Sequence, residues 1–246
     1  MAEDRSILTR SAPEPDAVLA YGPGADGVAD LRRGGPQAAR RPVVVLVHGG
    51  FWRPDFDRMH LQPMAAALAA AGWSTLLPEY RRRPGHPDDT VADVQAALRA
   101  ALHPDVAASG DGRIVLVGHS AGGHLVLQAA AGLGEEVAGV VALAPVADLV
   151  LAQDLGLDGD AVLAFLGCDA RDRPDLDPAR MPAPTARIAV VHGRDDDIVP
   201  PGIGASYCRQ QPSAELIEVD GGHFGLIDPR SAIWPRVLEA LERVSR

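Results

Sequence analysis

Apolar and polar positions fall along this chain in two alternating registers. Short uninterrupted runs of β-branched and aliphatic residues recur at Val43–Val47, Trp73–Leu77, Arg113–Val117, Val137–Leu143 and Arg187–Val191, with a further strand expected at Glu215–Val219. Runs of this kind suit strands covered on both faces, because a strand with one face in water would alternate apolar with polar. Between them lie stretches with helical spacing: Met59–Ala71, Thr90–Leu102, Ala121–Gly132, Gly202–Gln211 and Ile233–Val244. Strand alternating with helix predicts a doubly wound, mostly parallel sheet with helices on both faces.

Two departures from the alternation mark the ends of this pattern. From Ser11 to Arg41 the chain is rich in Pro, Gly and Asp, with short candidate strands at Ala17–Tyr21 and Val28–Leu31 that read as peripheral and antiparallel. Residues 148–184 carry one candidate helix, Gly159–Leu166, followed by a loop dense in Pro, Asp and Arg. An excursion of that length is expected to be a cap over a site, with a tolerated surface loop as its alternative. With 246 residues, 47% of them hydrophobic, the whole chain is expected to form one α/β domain, residues 1–246.

Charge narrows the partners. A net charge of −10 disfavours nucleic acid and anionic membrane surfaces, and all 23 basic residues are arginine, which excludes a lysine Schiff base or Ser-Lys dyad. Met1–Arg10 has no apolar stretch of the secretory type and no run approaches a membrane span, so the chain reads as cytoplasmic. Cys168 and Cys208 lack metal-ligand spacing and are expected to be packing thiols.

Candidate chemistry centres on Gly118-His119-Ser120-Ala121-Gly122, a GxSxG pattern between a strand and a helix. Glycines permit the cramped turn that raises a serine above a sheet, at a helix N-terminus whose free N–H groups favour a developing negative charge. Taken alone, five residues of this kind also fit a serine N-cap in a glycine turn. A serine nucleophile needs a base. Of eight histidines, His223, in Asp220-Gly221-Gly222-His223-Phe224 after the last strand, has the position and chain order for that base. His119 is expected beneath the turn, His48 to hold loop shape, and His60, His86, His103 and His124 at packing or surface positions. The orienting carboxylate should follow the strand ending at Val191, where Asp195, Asp196 and Asp197 are chemically equivalent choices.

The oxyanion hole is expected from Ala121 N–H together with the loop His48-Gly49-Gly50-Phe51-Trp52, where Gly50 and Gly49 let backbone approach a substrate oxygen. Phe51, Trp52, Phe165 and Phe224 are the candidate substrate pocket, among aromatics that also include Phe56 and Tyr80. Arg81, Arg82 and Arg83 read as an exposed turn balancing nearby acids.

Together these motifs resemble the α/β-hydrolase superfamily. The HGGxW loop at His48–Trp52 and the GHSAGGH elbow at Gly118–His124 are similar to the arylformamidase (kynurenine formamidase) group. Tyr80 to Pro84 with His86 and Asp93 also resembles carboxylesterases related to hormone-sensitive lipase, but Phe51 stands where that group has a third glycine. In both groups the acid lies four residues before the proline of HGxxDxxVP, which selects Asp196 ahead of Pro200. The resemblance implies a serine hydrolase without metal or cofactor, acting on small esters or amides, including N-formyl aromatic amines. The alternatives are a general carboxylesterase without formamidase activity, or a non-hydrolytic ligand-binding protein on the same fold.

Overall fold

The structure, a computed structural model, describes residues 4–246. Its strands are β1 (Ala17–Ala20), β2 (Val28–Arg32), β3 (Val43–Val47), β4 (Thr75–Pro78), β5 (Ile114–His119), β6 (Val137–Leu143), β7 (Arg187–Gly193) and β8 (Ala214–Val219). They form one sheet in the order β1-β2-β4-β3-β5-β6-β7-β8. From β3 to β8 the pairings are parallel, and β1 and β2 add an antiparallel edge. Helices are α1 (Gln62–Ala70), α2 (Pro87–Ala101), α3 (Pro104–Ala107), α4 (Ala121–Ala130), α5 (Leu149–Asp154), α6 (Leu157–Leu166), α7 (Pro201–Gln210) and α8 (Trp234–Val244).

Side chains leave a strand on alternate faces, so β3 feeds two cores at once. Val43, Val45 and Val47 pack with residues of α2, α4 and α7, including Leu98, Leu125 and Ile203. Val44 and Leu46 pack on the opposite face with Met64 and Leu68 of α1 and Leu241 of α8. Burial of all five β3 residues accounts for the lack of polar alternation there. Among the described residues no helix is long and apolar enough to cross a membrane.

Residues 148–184 hold more helix than their composition suggests. Asp148 starts α5 by accepting a 2.9 Å bond from Leu151 N–H. Left-handed backbone at Asp158, Gly159 and Asp160 delays the regular part of α6 until after Asp160. The segment is tied to the helical layer of α4 and α7. His124 Nε2 lies 2.7 Å from Leu176 O, Ala179 N–H donates to Ala147 O, and Ser206 Oγ–H donates to Asp148 Oδ2.

Candidate active site

Four loops at the carboxyl ends of β3, β5, β7 and β8 converge, the place where parallel sheets leave helix N-termini and loops free to hold a ligand. Ser120 joins β5 to α4 with φ 56° and ψ −119°, a conformation that non-glycine residues avoid and that surrounding structure must impose. Ser120 N–H donates to Leu143 O at 2.8 Å, while its own carbonyl accepts from His124 and Val146 N–H. The close approach of β3 explains the glycine two residues on: a Cβ at Gly122 would lie 2.1 Å from Val47 O.

The loops after β7 and β8 are brought together by parallel pairing up to Gly193 and Val219, followed by a bond from Asp195 N–H to Gly221 O. That pairing settles which aspartate meets the histidine. Asp195 and Asp197 are exposed, whereas Asp196 is buried and its Oδ2 accepts from His223 Nδ1–H at 2.7 Å. Asp196 Oδ1 accepts from the N–H groups of Ile198 at 3.0 Å and Val199 at 2.8 Å. His192 Nε2 approaches Oδ2 from another side at 3.5 Å and lies 2.9 Å from Val199 O. Burial opposes ionisation of Asp196, but hydrogen bonds from His192 and His223, the charge on His223 and Val199 N–H outweigh it and hold the carboxyl well below its usual range.

His119 lies under the elbow as expected of it, 2% exposed, with Nε2–H directed at His223 O at 3.2 Å. Burial keeps its ring neutral. His48 is fully buried, with Nδ1 2.8 Å from Gly49 O and Nε2 2.9 Å from Glu79 Oε1, and it stacks on Tyr80. Desolvation pushes its pKa down to about 3, so the neutral ring carries a single N–H and donates to only one of these two oxygens. Tyr80 O–H donates to His48 O at 2.7 Å. The Arg82 side chain, expected to be exposed, is instead 8% exposed and paired with Glu79. Arg81 and Arg83 balance Asp93 and Asp89, as the acid-rich stretch suggested.

The His48–Trp52 loop separates the aromatic candidates. Gly49 lies against the elbow: a Cβ there would be 2.9 Å from Ser120 Cβ. Gly50 turns with φ 108°, and a Cβ on it would meet Phe56 Cβ at 2.3 Å. Phe51 and Trp52 both take positive φ, at 50° and 54°, which leaves Phe51 beside Ser120 and sends Trp52 into the core. Trp52 stacks on Phe165 at 4.5 Å and meets His124 edge-on, and neither Trp52 nor Phe165 exceeds 3% exposure. Their assignment to the pocket is therefore corrected: both are core residues, whose flat faces are worth more packed together than against solvent.

Replacing Phe165 with alanine is accordingly expected to lower the unfolding free energy by about 3–5 kcal/mol, which denaturant unfolding of the variant measures.

A cavity of about 40 Å³ opens at Ser120, lined by Gly50, His60, His119 and His223 together with the apolar side chains of Leu8, Phe51, Phe56, Ile198 and Phe224. No residue of 148–184 is among those that line it. The insertion meets the loop after β3 through the Trp52–Phe165 stack and the Arg53–Asp158 ion pair at 2.8 Å. His60 was expected at a packing or surface position. It is buried, faces the cavity, and has its pKa pushed down to about 3 by desolvation. Leu8, Ile198, His192 and Glu79 also escape sequence reasoning, because no motif spacing connects them to Ser120. Cys168 and Cys208 are half-buried free thiols, and burial pushes the Cys208 thiol up to about 11.

The sequence profile of the alpha/beta hydrolase family matches residues 44–178. Among solved structures, a candidate thioesterase from Silicibacter sp. TM1040 is 26% identical, with TM-score 0.71 over 90% of this chain and 84% of its own. Esterase 2 of the planctomycete Thermogutta terrifontis is 20% identical, with TM-score 0.70 over 96% of this chain and 95% of its own. Esterase B of Lactobacillus rhamnosis, solved with a tributyrin phosphonate inhibitor, is 19% identical, with TM-score 0.71 over 94% and 85%. The matched profile spans more than half of the chain and takes in β3 to β6, the elbow and the loop after β3: this protein belongs to the alpha/beta hydrolase family.

Proposed function

We propose that this protein is a serine hydrolase that cleaves a small carboxylic ester or amide through an acyl-enzyme on Ser120. The observation that carries the reading is the buried pair of His223 and Asp196, 2.7 Å apart, facing a cavity that Ser120 also lines. With Nδ1–H held by the carboxylate, His223 presents Nε2 as an acceptor and can take the Ser120 proton as Oγ adds to the carbonyl carbon. The tetrahedral oxyanion is then placed at the N–H groups of Ala121 and Gly50, with Gly49 shaping the approach. Collapse expels the alcohol or amine with the proton returned from His223. Water, deprotonated by the same histidine, releases the acid and frees Ser120.

The small cavity favours a short acyl group. About 40 Å³ accommodates only a few water-sized groups, which suits formyl or acetyl and agrees with the arylformamidase-like motifs at His48–Trp52 and Gly118–His124. A general carboxylesterase is the competing assignment, and the esterase likenesses favour it; esterase 2 of T. terrifontis has been solved phosphonylated by sarin. Comparing kcat/KM on N-formylkynurenine with that on short p-nitrophenyl esters separates the two. Exposure to a fluorophosphonate is expected to leave one adduct, on Ser120, that is absent in His223→Ala. Mass spectrometry of the peptides reads this directly. Folded protein with no adduct would move the assignment to a ligand-binding protein.

A further inference from the structure

We infer that the N-terminal segment, rather than the insertion after β6, forms the wall that limits acyl length, with Leu8 as the residue that sets the limit. The inference rests on the serine-hydrolase reading above. Leu8 belongs to a short 3-10 helix, Ser6–Thr9, and lines the cavity together with Ser120 and His223. Its neighbour Ile7 is 1% exposed and is inserted into the core layer that holds Leu61, Leu226 and Ile227. That anchor holds the half-buried Leu8 against the opening.

A second attachment lies just beyond the helix. The Arg10 guanidinium binds both carboxylate oxygens of Asp228, Nη2–H donating to Oδ2 at 2.9 Å, with side-chain exposures of only 17% and 13%. Bidentate geometry of this kind fixes direction as well as distance. Asp228 follows the 3-10 helix Phe224–Leu226 that leads away from His223, and Arg5 lies 5.7 Å from the centre of the Phe224 ring. The segment is thus pinned to the same stretch of chain that carries the base, and Leu8 cannot withdraw independently of it.

Chemistry sets the consequence. Phe51 and Phe224 adjoin the oxyanion loop and the base, but Leu8 touches the cavity with no part in proton transfer or oxyanion binding. An acyl chain longer than acetyl must displace the Leu8 isobutyl group or leave apolar carbons in water, and a few methylenes misplaced in an apolar site are worth about tenfold or more in kcat/KM. Truncating Leu8 therefore enlarges the accepted acyl group without altering the reacting groups.

The test is the ratio of kcat/KM for p-nitrophenyl hexanoate to that for the acetate, with fluorophosphonate labelling of Ser120 as the check that each variant keeps an intact site. Leu8→Ala is expected to raise the ratio about tenfold and Leu8→Trp to lower it. Arg10→Ala, which unpins the segment without entering the cavity, is expected to raise the ratio by less than Leu8→Ala does. Variants that label normally and show an unmoved ratio overturn the assignment of Leu8 and leave the hydrolase reading standing. Wild-type protein that neither hydrolyses an ester nor acquires an adduct overturns the hydrolase reading itself, and the assignment of Leu8 with it.

Discussion

Ser120→Ala is expected to lower kcat on the best ester or amide substrate by on the order of 10³-fold or more, with little change in folding. In the proposed mechanism the hydroxyl supplies the nucleophile, and the other polar side chains at the cavity are the imidazoles of His60, His119 and His223. Alanine also retains the strained backbone at φ 56°, which the bonds to Leu143, His124 and Val146 impose whatever the side chain. Oxyanion binding would survive, so residual catalysis above the uncatalysed rate is expected. Steady-state kinetics of the purified variant measure this, and near-native turnover would remove Ser120 from the mechanism.

Asp196→Asn is expected to cost on the order of 10³- to 10⁴-fold in kcat while leaving fluorophosphonate access to the cavity open. Ile198 and Val199 N–H groups bond to Asp196 Oδ1, so an asparagine is expected to keep its carbonyl oxygen there and turn its NH₂ toward His223. That amide would donate to Nδ1 and hold the ring proton on Nε2, where it opposes removal of the Ser120 proton. A structural role alone would not produce this signature. Stability gives a second readout. Because the Asp196 carboxyl is held below its usual range in the folded protein, its contribution is complete above the unfolded value near 4 and is lost as pH falls below it. Thermal unfolding from pH 6 to pH 3 is therefore expected to show a steeper acid loss in the wild type than in Asp196→Asn.

Much of the catalytic geometry was legible in linear order because it sits at strand ends. Gly118–Gly122 follows β5 directly and needs only the packing of α4 against β3 to become an elbow. The choice of Asp196 over Asp195 and Asp197 came from a family pattern, and its physical reason is three-dimensional: one of three consecutive side chains turns inward between His192 and His223. Strand positions were read closely, since apolar runs in a sheet covered on both faces have no other stable place. Trp52 and Phe165 were misplaced for the opposite reason. An aromatic in a glycine loop fits a pocket and a core equally well, and positive φ at Phe51 and Trp52 turned Trp52 into the core, where Phe165 of α6 stacks on it.

By itself, then, the sequence determined the alternation of strand and helix, the serine elbow, the glycine loop and the chain order of the candidate serine, aspartate and histidine, because each depends on local spacing and backbone freedom. Tertiary structure alone decided the pairing of Asp196 with His223, the burial of His48 against Glu79, and the size of the cavity. It also placed Leu8 and His60 at the cavity that Ser120 lines. These are contacts between residues tens to hundreds of positions apart, brought together by the crossovers of a parallel sheet, and no periodicity along the chain records such distances.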